Sequence, residues 1–453
     1  MLTTLTPTAR LASRLALALL GALAAIAPRG TARADVLDPT MPRVLVVGPP
    51  QGHAPSERLD ASRSGRTRTR LPFPLVEVWR RHLTGGVEQP PVVDAQDNIL
   101  AALTVPEVVK LAPDGKEIWR VRLGNAAPVV PPALTSDGTL VTVTSAGIAW
   151  GISPTGSVRF STPLGVRGRD VDTAPLALAD GGVVIAAGGA LLEIDRDGAI
   201  RARTALDPRP GSVDSRVSGA LLTGPAGDGK GPSFAGTLFT TESGSVFLWR
   251  PPGAPRKLGS FGGVPRRGAM LADGRTLVAV VDTRRVVGLD LLTGTTQVRA
   301  SGYPGALFDS PAALAPEAID RGPLAQMGPG VALVTVQTGL LLGLDGAGNE
   351  RARLSLDKPP PALLGVLGGA VGGPGGATFF GTAEFKPSPP LIVDAQGRVG
   401  FARANGRVGV VGPDGALSLA GERVCLTPIA VVPAGEKRML LVCRDGGLWL
   451  YGE

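Results

Sequence analysis

The chain has 453 residues, rich in Gly (64) and Pro (42) and poor in aromatics, with 5 Trp, 2 Tyr and 11 Phe. Its formal net charge is +8, but Arg10, Arg14, Arg29 and Arg33 lie in the first 34 residues, and six further arginines lie between residues 43 and 70. Little positive charge is left for residues 76–453, which argues against nucleic-acid binding, since such a domain concentrates its own cationic side chains.

Residues 1–34 read as a secretory signal. Arg10 and Arg14 precede the apolar run LALALLGALAAIA (15–27), too short for a comfortable membrane span. Ala32-Arg33-Ala34 offers a small-x-small cleavage site. No cysteine lies near that site, so no lipid anchor is expected. The chain is expected in the periplasm or outside the cell, as a monomer with no membrane span once the signal is removed. Residues 35–74 follow as a Pro- and Arg-rich linker. Their stretch PPQGHAPSERLDASRSGRTRTRLPFP (49–74) carries too little apolar surface to offset its ordering entropy, so it is expected to be largely disordered.

From residue 75 to 453 one outline recurs. A Pro or Gly precedes a small or apolar residue and a short apolar run, often ending in Asp-Gly or Asp-Asn. The marks begin at Pro91, Pro132, Pro175, Gly219, Gly268, Pro311, Gly369 and Pro428. The Gly369 copy matches least well. Each unit parses as four short strands. In the second, PPALTS turns at Asp137-Gly138 into TLVTVT, SAG leads to IAWGIS, and PTG leads to SVRFSTPL. Asp-Gly and x-Gly supply the positive backbone angles of tight hairpins. Four antiparallel strands repeated about every 40–60 residues predict an all-β, eight-bladed β-propeller. The last unit holds only three strands. The lone strand in LVEVWRRHLTGG (75–86) is expected to complete it and close the ring, hiding edges that would otherwise aggregate.

These units resemble the pyrroloquinoline-quinone-like, or quinoprotein-type, propeller repeat. Gly288-Leu289-Asp290-Leu291-Leu292-Thr293-Gly294 is similar to that family's apolar-Asp-x-x-Thr-Gly turn. Gly115 and Trp119 match its Gly-x-x-x-Trp, in which the Trp stacks on a neighbouring blade; Gly156 and Phe160 are an aromatic variant. The family contains quinone-dependent dehydrogenases and a non-catalytic scaffold of the outer-membrane barrel-assembly machine. The resemblance implies the scaffold type more than the dehydrogenases, because the vicinal Cys-Cys pair of the latter is absent. The scaffold's acylated N-terminal Cys is absent too.

Other signals read as structure. His53 lies in the linker and His82 on the closing strand, so a histidine-based triad or metal site is not expected. DAQDN (94–98) and DRDG (195–198) lack the full calcium-loop spacing and read as turns. GPAGDGKG (224–231) lacks the Ser or Thr of a phosphate loop and reads as a hairpin insert. Trp119, Trp150, Trp249 and Trp449 read as packing between blades. Cys425 and Cys443 are placed directly opposite each other across the last unit's first hairpin. An oxidising compartment favours a disulfide between them, with two buried thiols as the alternative.

Propeller connections from each fourth strand to the next first strand gather on one rim. Several here carry arginine: Arg167, Arg169, Arg216, Arg266 and Arg267. Clustered guanidinium groups hold carboxylates in paired hydrogen bonds, which fits an envelope protein's acidic segment or an anionic glycan as partner. The alternative is local pairing with Asp170, Asp172 and Asp214. No cofactor or metal is expected. The sequence thus reads as an exported, non-enzymatic binding or scaffolding module. A quinone-dependent oxidoreductase is the first alternative, and a propeller hydrolase or lyase working through carboxylates is the second.

Overall fold

Short β-rich runs fold back on themselves here because an aspartate caps most of the tight turns. Asp195 Oδ1 accepts the backbone N–H groups of Asp197 (3.0 Å) and Ala199 (2.8 Å). Asp345 Oδ1 does the same for Ala347 (2.9 Å) and Asn349 (2.8 Å). The side chain replaces backbone partners that the turn cannot supply, and a following Gly takes the positive φ. Thus the recurring Asp is a structural cap, and DAQDN and DRDG are turns of this kind.

The computed structural model describes residues 52–171, 173–206, 216–218, 221–223, 236–265, 270–272, 275–301, 307–316, 330–356, 388–421 and 424–453. The signal at 1–34, the insert at 224–231 and the Gly369 mark lie outside the described residues.

Eight sheets each contain four antiparallel strands, consecutive in the chain in seven of them. From inner to outer strand, blade 1 runs from Val92–Val93 to Glu117–Arg122, blade 2 from Ala133–Leu134 to Val158–Pro163, and blade 3 from Leu176–Ala177 to Ile200–Ala205. Blade 4 runs from Leu222–Thr223 to Arg256–Ser260, blade 5 from Met270–Leu271 to Thr296–Ser301, and blade 6 from Ala313–Leu314 to Glu350–Ser355. Blade 7 runs from Ile392–Asp394 to Leu417–Gly421. Blade 8 joins Pro428–Pro433, Arg438–Cys443 and Gly447–Gly452 to the outer strand Val76–His82. That outer strand pairs antiparallel with Gly447–Gly452, so the two ends of the repeat region share one sheet as the repeat count requires.

Blade 7 corrects one sequence reading. Its inner strand begins at Ile392, well after Gly369. Asp394-Ala395-Gln396 at its first turn repeats Asp94-Ala95-Gln96 of blade 1. The count of eight stands, and the inner strand of blade 7 is Ile392–Asp394, not the run at Gly369.

Middle strands are buried on both faces, as in Ile99–Ala102, Leu140–Val143 and Val399–Ala402. They are nearly continuous apolar runs because blades cover them from both sides. Outer strands alternate toward solvent. Neighbouring blades lock through an aromatic ring laid on a turn glycine. The Trp79 ring on blade 8 lies 3.3 Å from where a Cβ on Gly115 of blade 1 would stand, and Trp79 Nε1 donates to the Pro113 carbonyl (2.9 Å). Trp119 repeats this over Gly156 of blade 2, donating to the Pro154 carbonyl (3.0 Å). Phe160 sits on Gly198 of blade 3 without a donor.

The reading of residues 35–74 as a linker fails for residues 52–74. Ala54 bridges Val93 of blade 1, and the Pro55 carbonyl accepts from Leu134 N of blade 2 (2.8 Å). The Ala61 carbonyl accepts from Thr223 N of blade 4 (3.0 Å), and the Ser64 carbonyl from Leu314 N of blade 6 (2.8 Å). Arg66–Thr67 adds a parallel strand inside blade 7, and the Arg70 carbonyl accepts from Lys437 N of blade 8 (2.8 Å). One short segment that bonds the inner strands of blades 1, 2, 4, 6 and 7 must run through the central channel. Leu59 and Leu71 are buried with it. Low apolar content misleads because backbone hydrogen bonds to open strand edges hold this segment. The chain leaves the channel at Leu71, where Asp394 Oδ2 accepts its N–H (2.9 Å) and Arg398 binds its carbonyl.

Two predictions follow from this packing. Trypsin applied to the native protein is expected to spare Arg58 and Arg63, both buried; cleavage there at the rate of a denatured control would contradict the channel placement. Gly156→Val places a side chain against Trp119, 2.9 Å from the Cβ position, at a φ of +88°. It is expected to lower stability by about 2–4 kcal/mol in denaturant unfolding.

Candidate functional site

The connections entering each inner strand dock on the far end of the next second strand. Bridges at Val171↔Ala187, Val217↔Thr241 and Pro265↔Val281 repeat this in blades 3, 4 and 5. The connections therefore gather on one rim, with the turns between second and third strands. An open cleft of about 520 Å³ lies there, lined by Ala146, Gly147, Val166, Arg167, Arg169 and Asp170 among others.

Three of the five arginines singled out from the sequence are described. Arg167 is exposed at the cleft and its guanidinium has no partner among the described residues. Arg169 is exposed and lies 3.9 Å from Asp170. Arg216 reaches across from the next connection; its Nη2 donates to the Arg169 carbonyl (3.4 Å), and its Nη1 lies 3.8 Å from Glu242. Thus Arg169 and Arg216 meet, with Arg167 beside them. Both local acids that contact them do so at long range. Arg266, Arg267, Asp172 and Asp214 lie outside the described residues.

On the opposite end, arginines and turn aspartates are closely paired. Arg159 bridges Asp137 of its own blade and Asp197 of blade 3. Burial raises the Asp137 carboxyl, but hydrogen bonds from Thr135, Arg159 and Thr139 outweigh it and hold the pKa at about 2. Asp345 is likewise held at about 2, burial being outweighed by Asn349, Arg351 and backbone N–H groups. Among the described rim arginines, Arg167 and Arg169 are exposed without a close carboxylate.

Buried carboxylates are separately engaged. Asp94 pairs with Lys110 (2.9 Å) and accepts from Asn98. Asp309 is bound by Thr335 and by Ser388 (2.9 Å). Asp394 binds the chain leaving the channel, and burial raises its carboxyl. Among the described residues no three His, Cys, Asp or Glu side chains converge as metal ligands. His82 is exposed on the closing strand, and His53 lies 2.8 Å from Asp97 at the channel entrance. Among the described residues, no helix is long and apolar enough to cross a membrane.

Cys425 and Cys443 are joined by a disulfide, with Cα atoms 6.0 Å apart. Their expected register is corrected. Cys443 pairs with Pro428, while Cys425 lies before the inner strand of blade 8. The turn is centred later than expected, near Glu436, because Gly435 and Lys437 both take positive φ. The bridge ties the entering chain to the second strand.

Residues 58 and 63 were not recognised from the sequence. Arg58 and Arg63 fall within the stretch expected to be a disordered linker, yet both are buried in the channel. The only available signal was the pair Arg58-Leu59 inside a polar stretch.

A family profile described as outer membrane protein assembly factor BamB matches residues 76–299, the closing strand and blades 1 to 5. BamB from Moraxella catarrhalis is similar in structure, with a TM-score of 0.54 at 14% identity, covering 84% of this chain and 100% of that one. A europium-containing methanol dehydrogenase gives 0.56 at 12%, covering 89% and 98%. Quinohemoprotein alcohol dehydrogenase from Comamonas testosteroni gives 0.56 at 14%, covering 88% and 80%. At such identities these structures share the fold alone. A search of curated proteins found no match.

The carboxylate pairing makes a pH prediction. Asp137 and Asp345 have folded values below the ordinary 3.8, so their stabilisation is full above about pH 4 and is lost as pH falls through about 2. Urea unfolding between pH 5 and 2 is expected to show this loss. Arg159→Gln is expected to flatten part of the slope; an unchanged slope would remove Arg159 from the account.

Proposed function

We propose that this eight-bladed β-propeller, whose residues 76–299 match the BamB family profile, is an exported, non-enzymatic scaffold that docks an acidic segment of an envelope protein on its connection rim. The observation that carries this reading is the occupied channel. Residues 54–67 bond to inner strands around the ring, so a cofactor of quinone size on the channel axis would collide with the chain itself. The rim, in contrast, offers an open cleft with Arg167, Arg169 and Arg216. The exposed Arg167 and Arg169 guanidinium groups, the latter 3.9 Å from Asp170, suit bidentate pairing with carboxylates. The sequence features of residues 1–34 and the envelope role printed for the matching family profile support export.

Exposed ion pairs contribute modestly and act mainly on encounter and specificity. The Arg167→Ala/Arg169→Ala/Arg216→Ala variant is expected to bind a fluorescent polyglutamate peptide about tenfold more weakly than wild type at low salt. Wild-type affinity should fall with added salt. A sulfated glycan serves as the second probe; glycan binding without peptide binding would replace the protein partner by a glycan. Unchanged affinity for both probes in the variant would remove the rim. Mixing the protein with pyrroloquinoline quinone and calcium is expected to give no alcohol-dependent dye reduction, and turnover there would overturn the non-enzymatic reading.

A further inference from the structure

The channel segment carries two arginines in unusual circumstances. Arg63 is fully buried and Arg58 nearly so. Both stand on left-handed backbone, with φ of 54° and 57°, and Leu59 between them has φ 79°. Non-glycine residues there cost about 1–3 kcal/mol each, and such outliers concentrate where a side chain must be aimed. The fold therefore holds both guanidinium groups in the channel against a backbone cost.

Their hydrogen bonding is incomplete. Arg58 Nη2 donates to the Ala312 carbonyl, but its Nε and Nη1 have no partner. Arg63 Nε donates to the Leu221 carbonyl (3.0 Å) and Nη1 to the Glu57 carbonyl (2.6 Å), while Nη2 has none. Ser56 Oγ, on the same segment, is also buried without a partner. The two nearby carboxylates do not fill these positions. Asp60 binds Ser64 N (2.9 Å) and Ser64 Oγ, and Glu57 offers Arg63 only its backbone carbonyl. Burial lowers both, Arg58 to about 10; the charges of Glu57 and Asp60 offset this in part, and Arg63 adds a smaller repulsion on Arg58. Unused N–H groups on buried cations are expensive, and an anion that accepts from both would relieve the desolvation and the repulsion together.

We propose that Arg58 and Arg63 form an internal seat for a small oxyanion of the phosphate or sulfate type, held inside the channel by the N-terminal segment. Each guanidinium presents N–H groups in a planar fork suited to two oxygens of such an ion. The seat is separate from the rim cleft and stands independently of the docking function. Its occupation would also pin residues 56–64 to blades 4 and 6.

The test uses the full exported chain in chloride-only buffer. Phosphate and sulfate are titrated at matched ionic strength, with melting and calorimetric titration as readouts. Calorimetry is expected to show one saturable site per chain, and Tm is expected to rise by about 3 °C at a hundredfold excess over Kd. Arg58→Gln/Arg63→Gln is expected to lose the rise, while Arg167→Ala/Arg169→Ala keeps it. No saturable binding and no rise in Tm in wild type, or a full rise in the channel variant, would overturn the seat. If the channel variant does not fold, selenate soaked into wild-type crystals gives the decision. An anomalous peak between the two guanidinium groups is expected, and a peak elsewhere or none overturns the proposal.

Discussion

The structure depends on how the open edges of short inner strands are satisfied. Each blade turns its first strand toward the ring axis, leaving one row of backbone N–H and C=O groups facing inward. Buried groups of this kind must find partners. Residues 54–67 supply them. Val93, Leu134, Thr223, Leu314 and Val393 donate to the carbonyls of Ala54, Pro55, Ala61, Ser64 and Gly65. The segment behaves as a shared ninth element that bonds to several blades at once, and blade 7 gains a parallel strand from it.

A second constraint acts at the ring's outer edge. Blades stack through faces of Val, Leu and Ala, which are slippery and non-directional. Direction comes from rings seated on turn glycines at Trp79, Trp119 and Phe160 and from indole donors to the adjacent turn carbonyl. The same end of the molecule spends its arginines on capped aspartates, such as Arg159 on Asp137 and Arg351 on Asp345. On the connection rim, Arg167 and Arg169 are exposed, while residues 54–67 occupy the axis. This separation of a filled centre from an accessible rim is what the functional reading rests on.

Much of the fold was legible because hairpin chemistry is local. Asp-Gly turns, small residues before inner strands and the Gly-x-x-x-Trp spacing all act within a few residues. Blade closure by Val76–His82 was legible from the missing fourth strand of the last blade. The inner strand of blade 7 is marked in the sequence by Asp394-Ala395-Gln396, which repeats Asp94-Ala95-Gln96 of blade 1, and not by the run at Gly369. The Cys425–Cys443 pairing was legible, but its register was not, since it turns on the positive φ of Lys437. The channel segment was missed for a deeper reason. Its order comes from backbone atoms that every residue type carries, so composition reports only its polarity. Arg58 and Arg63 consequently looked like solvated charges.

Hydrogen exchange of the native protein tests the central claim most directly. The amides of Ala54, Gly65 and Leu71 donate to Val93, Arg58 and Asp394 within the channel. Peptides covering residues 54–71 are therefore expected to exchange as slowly as those covering the blade strands, and together with the inner-strand amides of Leu134, Thr223, Leu314 and Val393. Exchange of residues 54–71 within seconds, at the rate of an unstructured peptide, would contradict the account and return the segment to the role of a linker.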